Sequence, residues 1–128
     1  MDPNLWGPSA WYFLHSITYN YPEKPSSVEK KAAINFFKSL KHLLPCSVCK
    51  INYDKHFENH KIENNLNSKR ELVHWLIDIH NKVNQDTGKP TMTYESVLSS
   101  KPLQYASPMT NLKIAGILVV FLYMINKQ

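Results

Sequence analysis

Both cysteines of this chain fall in one hexapeptide, Leu44-Pro45-Cys46-Ser47-Val48-Cys49. A Cys-x-x-Cys pair can close into a short-loop disulfide, and a helix N-terminus stabilises a thiolate and lowers the pKa of a thiol placed there. Pro45 ends the preceding helix and lacks the backbone donor that a helix start leaves unpaired, so the cysteines are expected to open a new helix. Histidine and asparagine also stand on faces that should be buried. Val73, Ile77, His80 and Asn84 share one helical stripe, and His15 lies one turn after Trp11 on another. Buried polar groups need partners. A lone histidine of this kind is most simply satisfied by a backbone carbonyl. Two such histidines, one with an aromatic neighbour, point instead to a shared flat heteroaromatic ligand, stacked on Trp11 and hydrogen-bonded through His15, His80 and Asn84.

A metal competes for the same cysteines, because Cys46, Cys49, His56 and His60 read Cys-x2-Cys-x6-His-x3-His. Zinc gathers its four ligands within about 2.0–2.3 Å of one point. On a continuous helix Cys49 and His56 would stand roughly 10 Å apart along the axis. No Gly or Pro lies between them to break the helix, so zinc is the weaker reading and no metal ligand is assigned. Thioredoxin-like chemistry uses the same motif but needs a βαβ setting that this chain does not offer.

The elements that must position these residues read as helices throughout. A first helix fits Pro8 to about Tyr21, with Pro8 in its first turn and Pro22 ending it. Ser27 can cap a second helix, whose rows Val28/Ala32/Phe36/Leu40 and Ala33/Phe37/Leu40/Leu44 give a wide apolar face. The third runs from Cys46 toward Asn59, and the Asn-rich connection after it reads as a surface loop. Ser68 with Glu71 forms a capping-box pattern for a fourth helix, closed by Gly88-Lys89-Pro90. A short helix follows from about Tyr94 to Ser100. After a linker between Pro102 and Pro108, Asn111 to Ile125 forms a last helix that is apolar on every side from Ile114 onward.

At 128 residues with three glycines the chain reads as one all-α domain with a tail. The net charge of +5 is modest, and one arginine, Arg70, gives little bidentate capacity for phosphates or bases, so nucleic-acid binding is a weak reading. Two cysteines cannot make a disulfide framework. The opening Met1-Asp2-Pro3-Asn4-Leu5-Trp6 has no apolar h-region, so export by a signal peptide is not expected.

Three blocks in order, Trp6-Gly7-Pro8-Ser9-Ala10-Trp11-Tyr12-Phe13-Leu14-His15, Leu44-Pro45-Cys46-Ser47-Val48-Cys49, and Trp75 to Asn84 followed by Gly88-Lys89-Pro90, resemble the Erv/ALR family of FAD-linked sulfhydryl oxidases. Together they cover most of residues 6 to 94. The resemblance implies a four-helix bundle with a short fifth helix, FAD at the bundle mouth, and a homodimer. By matching positions it implies that Gly7, Pro8, Trp11, His15, Cys49, His80, Asn81, Val83, Asn84 and Lys89 line the flavin and its nucleotide tail. It further implies a thiol oxidase that makes disulfides in partner proteins. Substrate thiolate attacks Cys46, Cys49 lies nearer the flavin, and molecular oxygen takes the electrons as hydrogen peroxide.

The chain departs from the cellular members in two ways, both like the small versions of large DNA viruses. Positions matching a structural disulfide of the fifth helix hold Ile77 and Tyr94, so packing must replace it. No shuttle cysteine pair exists, so electrons must come directly from a protein dithiol, for instance on a small dedicated redox partner. The run of 12 apolar residues from Ile114 to Ile125 is shorter than the ~20 that cross a bilayer. It can extend to ~14 if Lys113 and Lys127 snorkel. The expectation is a sulfhydryl oxidase domain over 1–105 and a short membrane anchor over 106–128. The protein would then sit on the virion or a host internal membrane, with the redox domain outside the bilayer. The competing class is a zinc-stabilised, tail-anchored helical adaptor without catalysis.

Overall fold

The computed structural model describes residues 1–99, which form α1 (Pro3–Tyr19), α2 (Ser27–Leu43), α3 (Ser47–Asn59), a 3-10 turn (Ile62–Asn65), α4 (Lys69–Asp86) and α5 (Tyr94–Ser99). No strand occurs among the described residues. The all-α expectation and the short fifth helix are therefore met. The apolar helix expected over 111–125, and the domain boundary at 105, lie outside the described residues. Within them no helix is long and apolar enough to cross a membrane.

α4 is the central element. It packs against α1, α3, the 3-10 turn and α5, while α2 packs on α3. Leu72, Val73, Trp75, Leu76, Ile77 and Ile79 are all but fully buried. Such a run is covered on several sides, as a helix at the centre of a bundle must be. The indole of Trp75 meets Phe37 of α2 and Phe57 of α3 edge-on, at ring distances of 5.0 and 6.0 Å. Its N–H donates to the His60 carbonyl at 2.8 Å, so the aromatic core carries no unpaired polar atom at its centre.

Four sequence expectations need correcting. α1 begins at Pro3, five residues before Pro8, because Asp2 caps it by accepting the Asn4 N–H and Pro3 takes a first-turn position. Pro8 is thus inside the helix. The residue before a proline is normally pushed out of the helical region by its Cβ, and Gly7 has none. α2 is capped by Ser26, not Ser27, in a reciprocal box with Glu29. On that helix Val28 and Ala32 are exposed, and the buried face follows the Ala33/Phe37/Leu40/Leu44 row. Finally, the Asn-rich connection is not a surface loop throughout: Ile62 and Leu66 are buried in the core cluster.

The joint between α4 and α5 is built around Ile77 and Tyr94, where the sequence leads one to expect packing to hold the fifth helix. Ile77 packs with Val73 and Val97, flanked by Tyr19 and Met92. The Tyr19 hydroxyl donates to the Val97 carbonyl at 2.9 Å, and the Tyr94 hydroxyl donates to Asp78 at 2.6 Å. The Asn81 side chain both donates to the Met92 carbonyl and accepts the Met92 N–H, each at 2.8 Å. Packing and these bonds hold α5 without a covalent link.

Candidate functional site

Pro45 stops α2, and Cys46 becomes the N-cap of α3. The Cys46 Sγ accepts the Cys49 N–H at 3.2 Å, so the first sulfur sits on the positive end of the helix dipole. Cys46 and Cys49 are joined as a disulfide with Cα atoms 5.1 Å apart. One turn later α3 turns its other side inward, burying Tyr53, His56 and Phe57.

The disulfide lies in the wall of a cavity of about 910 Å³ between the N-terminal half of α1, the start of α3 and the C-terminal half of α4. That is the size of a site for a large cofactor. Of the residues expected around the ligand, Gly7, Pro8, Trp11, Cys49, His80, Val83, Asn84 and Lys89 line it. His15 and Asn81 do not. His15 stands behind His80, and Asn81 faces α5 through its bonds to Met92.

The sequence suggests a ligand stacked on Trp11; in the structure one face of that ring is already taken. It carries the His80 imidazole, stacked at 3.8 Å and 6°. His15 Nε2 lies 3.1 Å from His80 Nδ1, while His15 Nδ1 is buried without a partner among the described residues. An unpaired buried N–H is rarer and costlier than an unpaired lone pair. His15 Nε2 is therefore the donor, and His80 carries its own proton on Nε2. Burial, then the nearby His15 and Lys89, hold the His80 pKa down at about 4, and burial lowers that of His15. Both rings are neutral at pH 7.

Lys89 reaches the cavity because α4 ends in a Schellman turn. Gly88 takes φ 68°, Lys89 N–H donates to the Asn84 carbonyl at 2.8 Å, and Gly88 N–H to that of Gln85 at 3.3 Å. The Asn84 amide donates to the Pro90 carbonyl, leaving its side-chain oxygen uncommitted among the described residues.

Two observations show a site built for a group larger than solvent. Gly7 is buried, yet a Cβ there would meet nothing within 4 Å. Trp6, another wall residue, has a buried indole N–H with no partner among the described residues. Sequence reasoning missed Trp6, along with Leu14, Asn52, Tyr53 and Thr87. For Trp6 the signal was present, a second indole in the Trp-Gly-Pro opening. For Asn52 and Tyr53 it was weak, since α3 has little apolar periodicity.

The histidines of the zinc reading are engaged elsewhere. His56 pairs with Asp86 at 2.6 Å and His60 with Asp78 at 3.3 Å, while the sulfurs bond each other. No metal-ligating cluster occurs among the described residues.

The Erv1/Alr family model matches residues 8–102. The chain is 40% identical over 101 residues to the "Probable FAD-linked sulfhydryl oxidase" of Acanthamoeba polyphaga mimivirus, spanning 78% of this chain and 71% of that one. It is 32% identical over 89 residues to the mitochondrial FAD-linked sulfhydryl oxidase of Saccharomyces cerevisiae, covering 70% of this chain and 46% of the yeast protein. The crystal structure of the yeast Erv1 core superimposes with a TM-score of 0.68 at 30% identity, covering 72% of this chain and 76% of that one. The helical fold superimposes on that core and the family model spans most of the chain, so the chain belongs to the Erv1/Alr family.

Proposed function

We propose that this chain is an FAD-linked thiol oxidase that forms disulfides in partner proteins through Cys46–Cys49. The observation that carries the reading is the placement of that disulfide in the wall of the same cavity that holds the Trp11–His80 stack and Lys89. FAD, when bound, supplies a two-electron acceptor that molecular oxygen restores, with hydrogen peroxide as product.

The chain's own residues would bind and orient that group. Trp11 and His80 give an aromatic wall, and His80 Nε2–H and Trp6 Nε1–H offer neutral donors. Lys89 offers the cation for the nucleotide phosphates, and Gly7 keeps the space open. Gly7, Pro8, Val83 and Asn84 complete the wall. His15 acts from behind by fixing the His80 tautomer, and Asn81 by anchoring the segment that leads into α5. Substrate thiolate attacks Cys46 Sγ, forming a mixed disulfide and breaking the bond to Cys49, which is left as a thiolate on the cavity wall. A second substrate thiolate then attacks the substrate sulfur of the mixed disulfide. The substrate leaves as a disulfide, and Cys46 is released as a thiolate at the α3 N-terminus, where the helix dipole favours it.

A homodimer is part of the proposal. Between α1 and α2 runs an apolar groove of about 290 Å³ lined by Ile17, Ala32, Ala33 and Phe36, beside the exposed Phe13. A second copy would cover it. We further propose that residues 106–128 anchor the oxidase domain, residues 1–105, to a membrane of the virion or host, on the strength of the apolar run from Ile114 to Ile125.

The test is the absorbance of the purified full chain together with oxygen uptake on adding dithiothreitol. A yellow protein with a flavin spectrum that consumes oxygen is expected. A colourless protein containing zinc would restore the adaptor reading.

A further inference from the structure

Three large apolar side chains lie close to the disulfide in the chain and remain in solvent: Leu43 is 72% exposed, Val48, at the cavity wall, 66% and Ile51 69%. Leu43 ends α2, three residues before Cys46. Val48 and Ile51 share one side of α3, the side away from the buried Tyr53 and Phe57. A thiol that attacks Cys46 must come within bonding distance of its sulfur, so anything larger than a small dithiol must lie over these side chains. Apolar surface this concentrated beside a reactive group marks a contact face.

The charges around it have a sign. Lys50 follows Cys49 directly in the chain and Lys55 continues the Val48–Ile51 row, and neither forms an ion pair with a carboxylate among the described residues. The nearby acids are already neutralised: Asp54 lies 2.8 Å and Glu58 3.6 Å from Lys41, and Glu58 also pairs with Lys61. The N-terminus of α3 adds its dipole. A second copy of the chain would bring the same basic face, and its only cysteines are this same pair.

We propose that Leu43, Val48 and Ile51 form the docking face for a segment of another protein in which apolar residues flank the donor cysteine pair and carboxylates lie outside them. The proposal rests on the thiol-oxidase reading and deepens it by naming the substrate class. Covering the apolar side chains slows dissociation of the encounter complex, and Lys50 with Lys55 steers its formation.

The test uses the full-length holoenzyme and the L43S/I51S variant, which leaves the cavity residue Val48 in place. Three reductants are compared: dithiothreitol, a reduced Cys-x-x-Cys peptide with Leu and Phe flanks and outer Glu residues, and the same peptide with Ser flanks. The variant is expected to lose at least tenfold in kcat/KM for the apolar-flanked peptide while turnover of dithiothreitol and the Ser-flanked peptide is unchanged. K50E should reverse the preference between outer Glu and outer Lys, and raised salt should weaken use of the acidic peptide by the native protein. Equal losses on all three reductants, or no loss on any, would overturn the proposal. So would anionic vesicles binding the native chain but not the variant while peptide use stays equal, or a change in sedimentation showing that two copies meet there. A native chain that oxidises no thiol at all would instead overturn the oxidase reading on which this one stands.

Discussion

His80 and Asn81 are neighbours on α4 that serve opposite sides of the molecule. His80 turns to the cavity, where it stacks on Trp11 and meets His15. Asn81 turns to the α5 joint, where both ends of its amide are bonded to Met92. On the cavity side donors and space are left over: the Trp6 N–H lacks a partner among the described residues, and a Cβ on Gly7 would touch nothing. On the joint side the hydroxyls of Tyr19 and Tyr94 and the Asn81 amide are all engaged, and among the described residues His74 Nε2 is the one buried side-chain atom there without a partner. One face of α4 is prepared for a ligand and the other is closed by the chain itself. The two should therefore fail differently when broken.

The largest effect belongs to the cavity side. Cys49→Ser should abolish turnover while leaving a Cys46 thiolate that attacks the disulfide form of the substrate, breaking that bond, releasing one substrate sulfur as a thiolate and forming a mixed disulfide, seen as a complex that disappears on reduction in electrophoresis. Cys46→Ser should abolish turnover and trap nothing. A trapped complex with Cys46→Ser instead would reverse the two roles.

On the joint side, Ile77→Ala removes a fully buried side chain from the contact between α4 and α5. A loss of roughly 3 kcal/mol of stability is expected, from lost burial plus the cavity left behind. Chemical denaturation measures it. The thiol-oxidation rate of the variant that remains folded should equal that of the native protein. A variant that stays folded but oxidises thiols much more slowly would show that the two faces of α4 are coupled.

How much of this contrast the sequence carried depends on how local each signal was. The Cys-x-x-Cys pair, the Val73/Ile77/His80/Asn84 stripe and the Gly88 stop are short-range patterns, and the helices they mark formed where expected. Asn81 was placed at the cavity on family resemblance alone. The two faces of α4 diverge only once α5 folds back, and a contact over that distance leaves no periodic mark. The start of α1 was misread because Pro8 looked like a first-turn proline. The buried Ile62 and Leu66 were hidden by the asparagines around them, whose polarity reads as loop. Val28 and Ala32 show the converse, helix-spaced apolar residues that stay exposed on α2.

Trp11→Ala sharpens the cavity side at smaller cost. The loss of the stack on His80 should weaken FAD retention by about tenfold, read by titrating flavin into apoprotein, with the denaturation midpoint of the apoprotein little changed. The same stack sets a pH window. The folded pKa of His80 is about 4, lowered first by burial and then by His15 and Lys89, against ~6.5 in the unfolded chain. Between those values the unfolded chain binds the extra proton, so stability rises with pH. The contribution is full above about 6.5 and is lost as pH falls toward 4. His80→Gln should flatten the dependence of urea midpoints on pH across that window. An unchanged slope would place the acid sensitivity elsewhere.

The smallest effect tests the closure of the joint. Tyr94 opens α5, stacks on His74 at 4.2 Å and donates to Asp78 at 2.6 Å. That bond, then burial, raises its pKa to about 12, so the hydroxyl remains a donor at any pH where the protein is used. Tyr94→Phe removes the donor and keeps the ring. The ring is partly exposed, and water can replace the lost partner, so a cost of about 1 kcal/mol is expected, toward the low end for a charged acceptor. Asp78 also holds His60 at 3.3 Å, so its carboxylate is not left unpaired. If α5 is held chiefly by the packing of Ile77, Val73 and Val97, Tyr94→Phe lowers the thermal midpoint by a few degrees, and amide exchange in α5 stays close to native. Exchange throughout α5 at the rate of unstructured chain would show that the hydrogen bond, and not the packing, holds the joint.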